Sequence, residues 1–137
     1  MIILQKDFRV HTRQRSEMID VTEQVRTVVS ELGVTTGHVT VYCPHTTAAI
    51  TINENADPSV QHDMLLTLDE LMPRSRAGYR HSEGNSDAHC KSSLFGCSEC
   101  VLIERGRLTL GTWQGIYFCE FDGPRNRRVI VQVHGVQ

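Results

Sequence analysis

Val129, Val131 and Val133 occupy every second position between Arg128 and His134. A period of two places all three valines on one face of an extended chain, so this segment must be a strand with one face in a core. That single strand needs partners, and the sequence offers them. Gly115 to Phe121 precedes it across a turn, Asp122-Gly123-Pro124-Arg125. Val101-Leu102-Ile103 and Arg107-Leu108-Thr109-Leu110 flank Gly106, a hairpin signal. Val39, Val41 and Cys43 alternate with Thr40 and Tyr42 until Pro44, and Ala48-Ala49-Ile50-Thr51-Ile52 follows as a second β-prone run. Residues 2–10 read as a further strand.

Two segments carry the helical period instead. Val21, Val25, Val28, Val29 and Leu32 recur at helical spacing behind Asp20, with Glu23 three residues on as a capping pair and Gly33 as the stop. In the second, Asp57 is a good N-cap, Pro58 suits the first turn, and Val60, Met64, Leu68 and Leu71 mark one face before Pro73 ends it. Residues 74–99 are polar and without period, which predicts a long loop of the kind that carries function. The expected fold is α+β: a single compact domain over residues 1–137, two helices packed on a largely antiparallel, mixed β-sheet.

The chain of 137 residues is long enough for one real core, and 39% hydrophobic with 22% charged residues is a globular balance. A formal charge of −2 supplies no field that would draw the protein onto nucleic acid or an anionic membrane. No run reaches the roughly 18 apolar residues of a membrane span. Met1 to Asp7 shows no basic leader or apolar h-region, so a cytoplasmic, reducing location is expected. Five cysteines cannot all pair within one chain, and buried free thiols are the expected state of the Cys97-x-x-Cys100 pair near Cys90.

Seven histidines in so short a chain are the main functional signal. His45 sits at a strand junction, and His81 and His89 in the long polar segment. Three imidazoles with an open fourth position suit zinc or a similar divalent ion, and solvated loop histidines are the plain alternative. In Asn53-Glu54-Asn55-Ala56-Asp57, Asp57 is explained as a cap, which leaves Glu54 as the candidate for chemistry, as a partner of a histidine ligand, a general base or a reader of substrate. His62 and Asp63 are expected to project about 100° apart, His62 on the surface. Arg125, Arg127 and Arg128 follow a turn whose backbone N–H groups could cradle an anion. Trp113, between Gly111 and Gly115, could stack on a ring, and a core or subunit-contact role is the plain alternative.

These motifs together resemble the YjbQ-like family of secondary thiamine-phosphate synthase-type proteins. The resemblance rests on residues 45–58 (HTTAAITINENADP), residues 81–89 (HSEGNSDAH) followed by Lys91-Ser92-Ser93, residues 111–116 (GTWQGI), and Asp122-Gly123-Pro124-Arg125. It implies a small cytoplasmic α+β homotrimer with a metal site at His45, His81 and His89. On that resemblance Glu54, His45 and His89 would act in catalysis. Thr46, Thr47, Asn53, Asp57, Asn85, Trp113, Gln114 and Arg125 would contact substrate, in a pocket completed across a subunit boundary. The implied reaction is a transfer that joins an aminopyrimidine diphosphate to a thiazole phosphate and releases pyrophosphate. A metal-dependent hydrolase or lyase on a phosphorylated metabolite, and a non-catalytic metal- or anion-binding trimer, are the rival expectations. Neither nucleic acid nor membrane is an expected partner.

Overall fold

The computed structural model describes all residues, Met1–Gln137. Eight strands and three helices follow in the order β1 (Ile2–His11), β2 (Glu17–Asp20), α1 (Thr22–Leu32), β3 (Thr36–Tyr42), β4 (Ala48–Glu54), α2 (Pro58–Leu71), α3 (Ser86–Phe95), β5 (Ser98–Glu104), β6 (Arg107–Leu108), β7 (Gln114–Glu120) and β8 (Asn126–Val136). The α+β class holds in a single compact domain, with two differences from the expected architecture. The strands form two sheets rather than one, β1-β8-β3-β5-β6 and β2-β7-β4, and every pairing is antiparallel. A third helix, α3, lies within the segment expected to be loop.

The alternating valines show why the two sheets pack face to face. Val129, Val131 and Val133 of β8 point inward beside Val39 and Val41 of β3 and Val101 and Ile103 of β5. They meet Ala48 and Ile50 of β4 and Ile116 and Phe118 of β7 from the other sheet, with Val25, Val28 and Val29 of α1 packed into the same core. β7 is the central strand of its sheet and is buried from Gly115 onward. Its second face carries Tyr117 and Cys119, which join Ala49, Ala88, Leu68 and Phe121 in a smaller core beneath α2 and α3. Helices thus cover the outside of the small sheet, and none covers the outside of the large one. No helix is long and apolar enough to cross a membrane.

Local signals were mostly obeyed. Gly33 adopts φ 67°, the left-handed conformation that ends α1. Asp57 accepts the Ser59 amide at 2.9 Å and opens α2 with Pro58 in the first turn. The capping pair expected at α1 does not form. Asp20 instead accepts the amide and hydroxyl of Thr22, and Glu23 pairs with Arg26. The Asp122–Arg125 segment crosses from β7 in one sheet to β8 in the other, so it is not a hairpin. It runs hard against residues 12–15: a Cβ on Gly123 would lie 2.2 Å from the Gln14 carbonyl oxygen.

α3 escaped prediction because its buried side is polar. Asp87, Lys91 and Ser92 lie inward with Ala88. Lys91, 1% exposed, reaches Asp69 at 2.5 Å and Asp87 at 3.0 Å, and Arg15 grips Asp87 with two nitrogens at 3.0 and 3.1 Å. Ser92 donates to the Ala48 carbonyl at 2.6 Å. An ion-pair network therefore does the work that an apolar stripe does elsewhere.

Candidate active-site cleft

The start of α3, the β3–β4 junction and the β7–β8 connection converge on one cleft of about 420 Å³. His45, Thr46, Thr47, His81, Asn85, His89 and Arg127 line it together with Glu83, Asp122 and Arg125, and Pro44 is the one apolar side chain in an otherwise polar wall. All three histidines singled out from sequence are in this one place. The His81 and His89 rings meet edge to face with centroids 5.3 Å apart, and Glu83 stands 3.9 Å from His81 Nε2.

His45 is turned differently. The Arg128 amide donates to its Nε2 at 2.9 Å, so that lone pair is engaged and the ring proton belongs on Nδ1. Burial and the nearby Arg127 charge lower its pKa, which keeps the ring neutral. No group of three His, Cys, Asp or Glu side chains stands in metal-binding geometry, because two imidazoles face each other while the third is occupied.

The cleft floor is built on a buried ion pair that crosses the sandwich. Glu120 accepts Arg127 Nε at 2.9 Å, Arg127 Nη2, the Thr12 hydroxyl at 2.7 Å, and the amides of Phe121 and Asp122 at 3.1 Å. Burial pushes the Glu120 carboxyl up, but these donors outweigh it and hold its pKa below 4.5. Arg127 Nη2 also donates to Thr47 Oγ1 at 2.8 Å. Arg127 Nη1 makes no hydrogen bond within the chain, although the residue is only 5% exposed. Asn85 is likewise 5% exposed; its Nδ2 donates to Asp122 at 2.8 Å, and its Oδ1 is buried without a partner. One cationic donor and one amide acceptor are therefore left for a ligand, in a wall that is polar apart from Pro44.

The expected backbone cradle in the Asp122–Arg125 turn is not available. The amides of Asp122, Gly123 and Arg125 are already given to Glu120, the Arg15 carbonyl and the Thr12 hydroxyl. Arg125 itself is bound to Asp122 through Nε and Nη2. Arg127, one of three arginines in the run, is the one whose guanidinium forms the floor. Its role could be read only from the inward parity it shares with Val129, Val131 and Val133.

The remaining candidates lie elsewhere in this chain. Asn53, Glu54 and Asp57 stand at the far end of β4, about 20 Å from Ala48 at the usual strand rise. Gln114 is the register partner of Glu54 at that end, and Trp113 beside it is 62% exposed. Trp113 is neither core nor cleft wall. The Glu54 carbonyl accepts the Tyr117 hydroxyl at 3.1 Å, as well as Gln61. His62 is exposed as expected, but its Nδ1 lies 2.9 Å from Asp63, because side-chain rotation closes the angle between neighbours. Cys43 and Cys119 are buried, whereas Cys90, Cys97 and Cys100 are exposed. The expectation of buried thiols in that pair fails because Cys100 falls on the uncovered face of β5 with Leu102, and Cys97 stands just before the strand begins.

Relatives share both sequence and architecture. A Bacillus subtilis protein, UPF0047 protein YugU, is 55% identical over 130 residues, covering 95% of this chain and 98% of its own. A UPF0047 protein of Methanocaldococcus jannaschii is 51% identical over 128 residues, covering 93% of this chain and 92% of its own. A crystal structure from Clostridium acetobutylicum, described as an uncharacterized conserved protein of the yjbq/upf0047 family, superposes with a TM-score of 0.92 at 52% identity, over 94% of this chain and 99% of that one. A protein of unknown function from Sulfolobus solfataricus reaches 0.94 at 31% identity, over 98% of each chain. With residues 6–136 matching the family as a whole, the chain belongs to the UPF0047 protein YjbQ-like family.

Proposed function

We propose that the cleft is the active site of an enzyme acting on a small phosphorylated metabolite. The observation that carries this reading is the buried, unpartnered acceptor Asn85 Oδ1 in the same cleft as the free Nη1 of Arg127, in a wall rich in imidazoles and hydroxyls. A guanidinium edge beside imidazoles suits a phosphate or diphosphate oxygen, and burial strengthens that attraction over its value in water. Arg127 needs no reorganisation to meet the anion, since Glu120 and Thr47 already hold its other nitrogens. Within this reading the reaction is a transfer with loss of diphosphate, of the thiamine-phosphate synthase type. Arg127 holds the leaving group, and His45 and His89 stand by to move a proton.

The donor set also suits a divalent ion, zinc in first place. His81 and His89 would hold it together with Asn85 Oδ1, and His45 would join them on releasing the Arg128 amide. A bound ion would supply extra positive charge to a departing phosphate. Glu54 is too far along β4 to serve as base in its own chain. In this proposal it acts, with Trp113 and Gln114, on the cleft of a neighbouring copy in a cytoplasmic homotrimer. The uncovered face of the large sheet, with Ile3, Tyr42 and Leu102 exposed, supports such an assembly.

The test uses purified, metal-replete protein with an aminopyrimidine diphosphate and a thiazole phosphate, reading pyrophosphate release. Turnover should fall at least about a hundredfold in His89→Ala with the melting temperature unchanged. Pyrophosphate alone should raise the melting temperature of the parent protein. Protection by pyrophosphate without turnover would retain the anion site and remove the transferase; absence of both would remove the reading altogether.

A further inference from the structure

Beside the cleft lies a pair of thiols that the proposed chemistry does not use. β3 and β5 pair antiparallel with Val39 opposite Val101, Val41 opposite Glu99 and Tyr42 opposite Ser98. Carried one residue further, the register sets Cys43 opposite Cys97, and the Cys43 amide does donate to the Cys97 carbonyl at 2.7 Å. Parity places both side chains on the same side, since Cys43 follows inward-facing Val39 and Val41, and Cys97 precedes inward-facing Val101 and Ile103. Directly opposed residues of an antiparallel pair have Cα atoms about 4.5–5.5 Å apart. Disulfides span Cα separations of about 4.4–6.8 Å. The two thiols differ in access, Cys43 being 1% exposed and Cys97 open to solvent.

We propose that Cys43 and Cys97 form a reversible cross-strand disulfide, a redox modification site at the edge of the histidine cleft. The oxidant is a hydroperoxide. The Cys97 thiolate attacks one peroxide oxygen, the O–O bond breaks, and the sulfur becomes a sulfenic acid while the peroxide is reduced. Cys43 then attacks that sulfur; the S–S bond forms, the S–O bond breaks, and hydroxide leaves with the Cys43 proton as water. A dithiol reductant reverses the change. The order of events follows from access: Cys97 is open to solvent and meets the peroxide first, while Cys43 is buried and serves as the resolving partner. Cys43 leads directly into Pro44, His45, Thr46 and Thr47, and Cys97 follows α3 through Gly96. The disulfide therefore ties together the two walls of the cleft.

The test treats the folded, reduced full chain with stoichiometric hydrogen peroxide, alkylates free thiols, digests, and maps cross-links by mass spectrometry. The expected product is one intrachain link, with the mass of two hydrogens lost, joining the Cys43 fragment to the fragment that holds Cys97 and Cys100. It should persist in Cys100→Ser, disappear in Cys97→Ser, and be removed by dithiothreitol. A link from Cys97 to Cys90 or Cys100, a link between two chains, or oxidation of Cys97 without any link would each overturn the proposal. Because Cys97 is exposed, its serine variant should keep the parent circular dichroism spectrum, so loss of the link would report the thiol and not the fold.

Discussion

Arg127 and Glu120 show how one ion pair can serve structure and site together. Glu120 is fully buried and receives five donors, so its charge is stable only while those donors remain. Removing the cation by Arg127→Met should cost about 3–5 kcal/mol of stability, because it strands a buried carboxylate. The double variant Arg127→Met with Glu120→Leu should recover much of that loss in denaturant melts without recovering pyrophosphate protection. That separation would show the Arg127 guanidinium to be a ligand contact as well as a strut. The acid limb follows with a definite sign. The folded-state pKa of Glu120 lies below its ordinary value of 4.5. Its contribution is therefore fully present above pH 4.5 and is lost as the pH falls through the depressed value. Asp87 acts in the same sense: burial raises its pKa, but Arg15 and Lys91 more than reverse this and leave it below 3.8. Acid unfolding followed by circular dichroism should therefore begin below about pH 4.5, and Glu120→Gln should be less stable at pH 7 with a flatter loss of stability on the acid side. An acid profile unchanged by Glu120→Gln would contradict this assignment.

At the scale of the element, legibility depended on what each segment buries. The β8 valines and the Asp57–Pro58 start of α2 could be read because apolar period and cap chemistry agree there with the tertiary structure. α3 could not, because Asp87, Lys91 and Ser92 face inward and leave no helical period of apolar residues. The division into two sheets was hidden for a related reason. A strand's alternation shows that one face is buried but carries no label for the sheet behind it, and β7 is buried on both faces. α3 also carries Asn85 and His89 into the cleft, so its anchor should control the site from behind. Lys91→Met removes two contacts from inside the helix and leaves Asp87 to Arg15 alone. It should lower stability by about 3 kcal/mol and raise amide exchange across residues 86–95 more than in the β8 ladder. Uniform exchange across both elements would show that α3 is held by its backbone context and not by the lysine.

Over the whole molecule, the candidate site residues divide between two ends of one short sheet. His45, His81, His89, Thr46, Thr47, Asn85 and Arg125 gather at the Ala48 end of β4. Asn53, Glu54, Asp57, Trp113 and Gln114 gather at the other. The sequence motifs are contiguous across this gap because β4 itself is part of the first motif, and nothing in residue order reveals that a strand about 20 Å long separates its two halves. A head-to-tail ring of three copies would place the Glu54 end of one chain over the histidine cleft of the next, since each heterologous contact joins two different surfaces. That arrangement makes a sharp prediction. His89→Ala and Glu54→Gln should each give inactive trimers with parent-like spectra. When the two are dissociated, mixed in equal amounts and reassembled, about one site in four would combine an intact cleft with an intact neighbouring end. Pyrophosphate release should therefore return to about a quarter of the parent rate, measured beside light scattering that confirms a trimer. Were the mixture as inactive as its parents while still trimeric, each site would lie within a single subunit, and the Glu54 end would need a separate explanation.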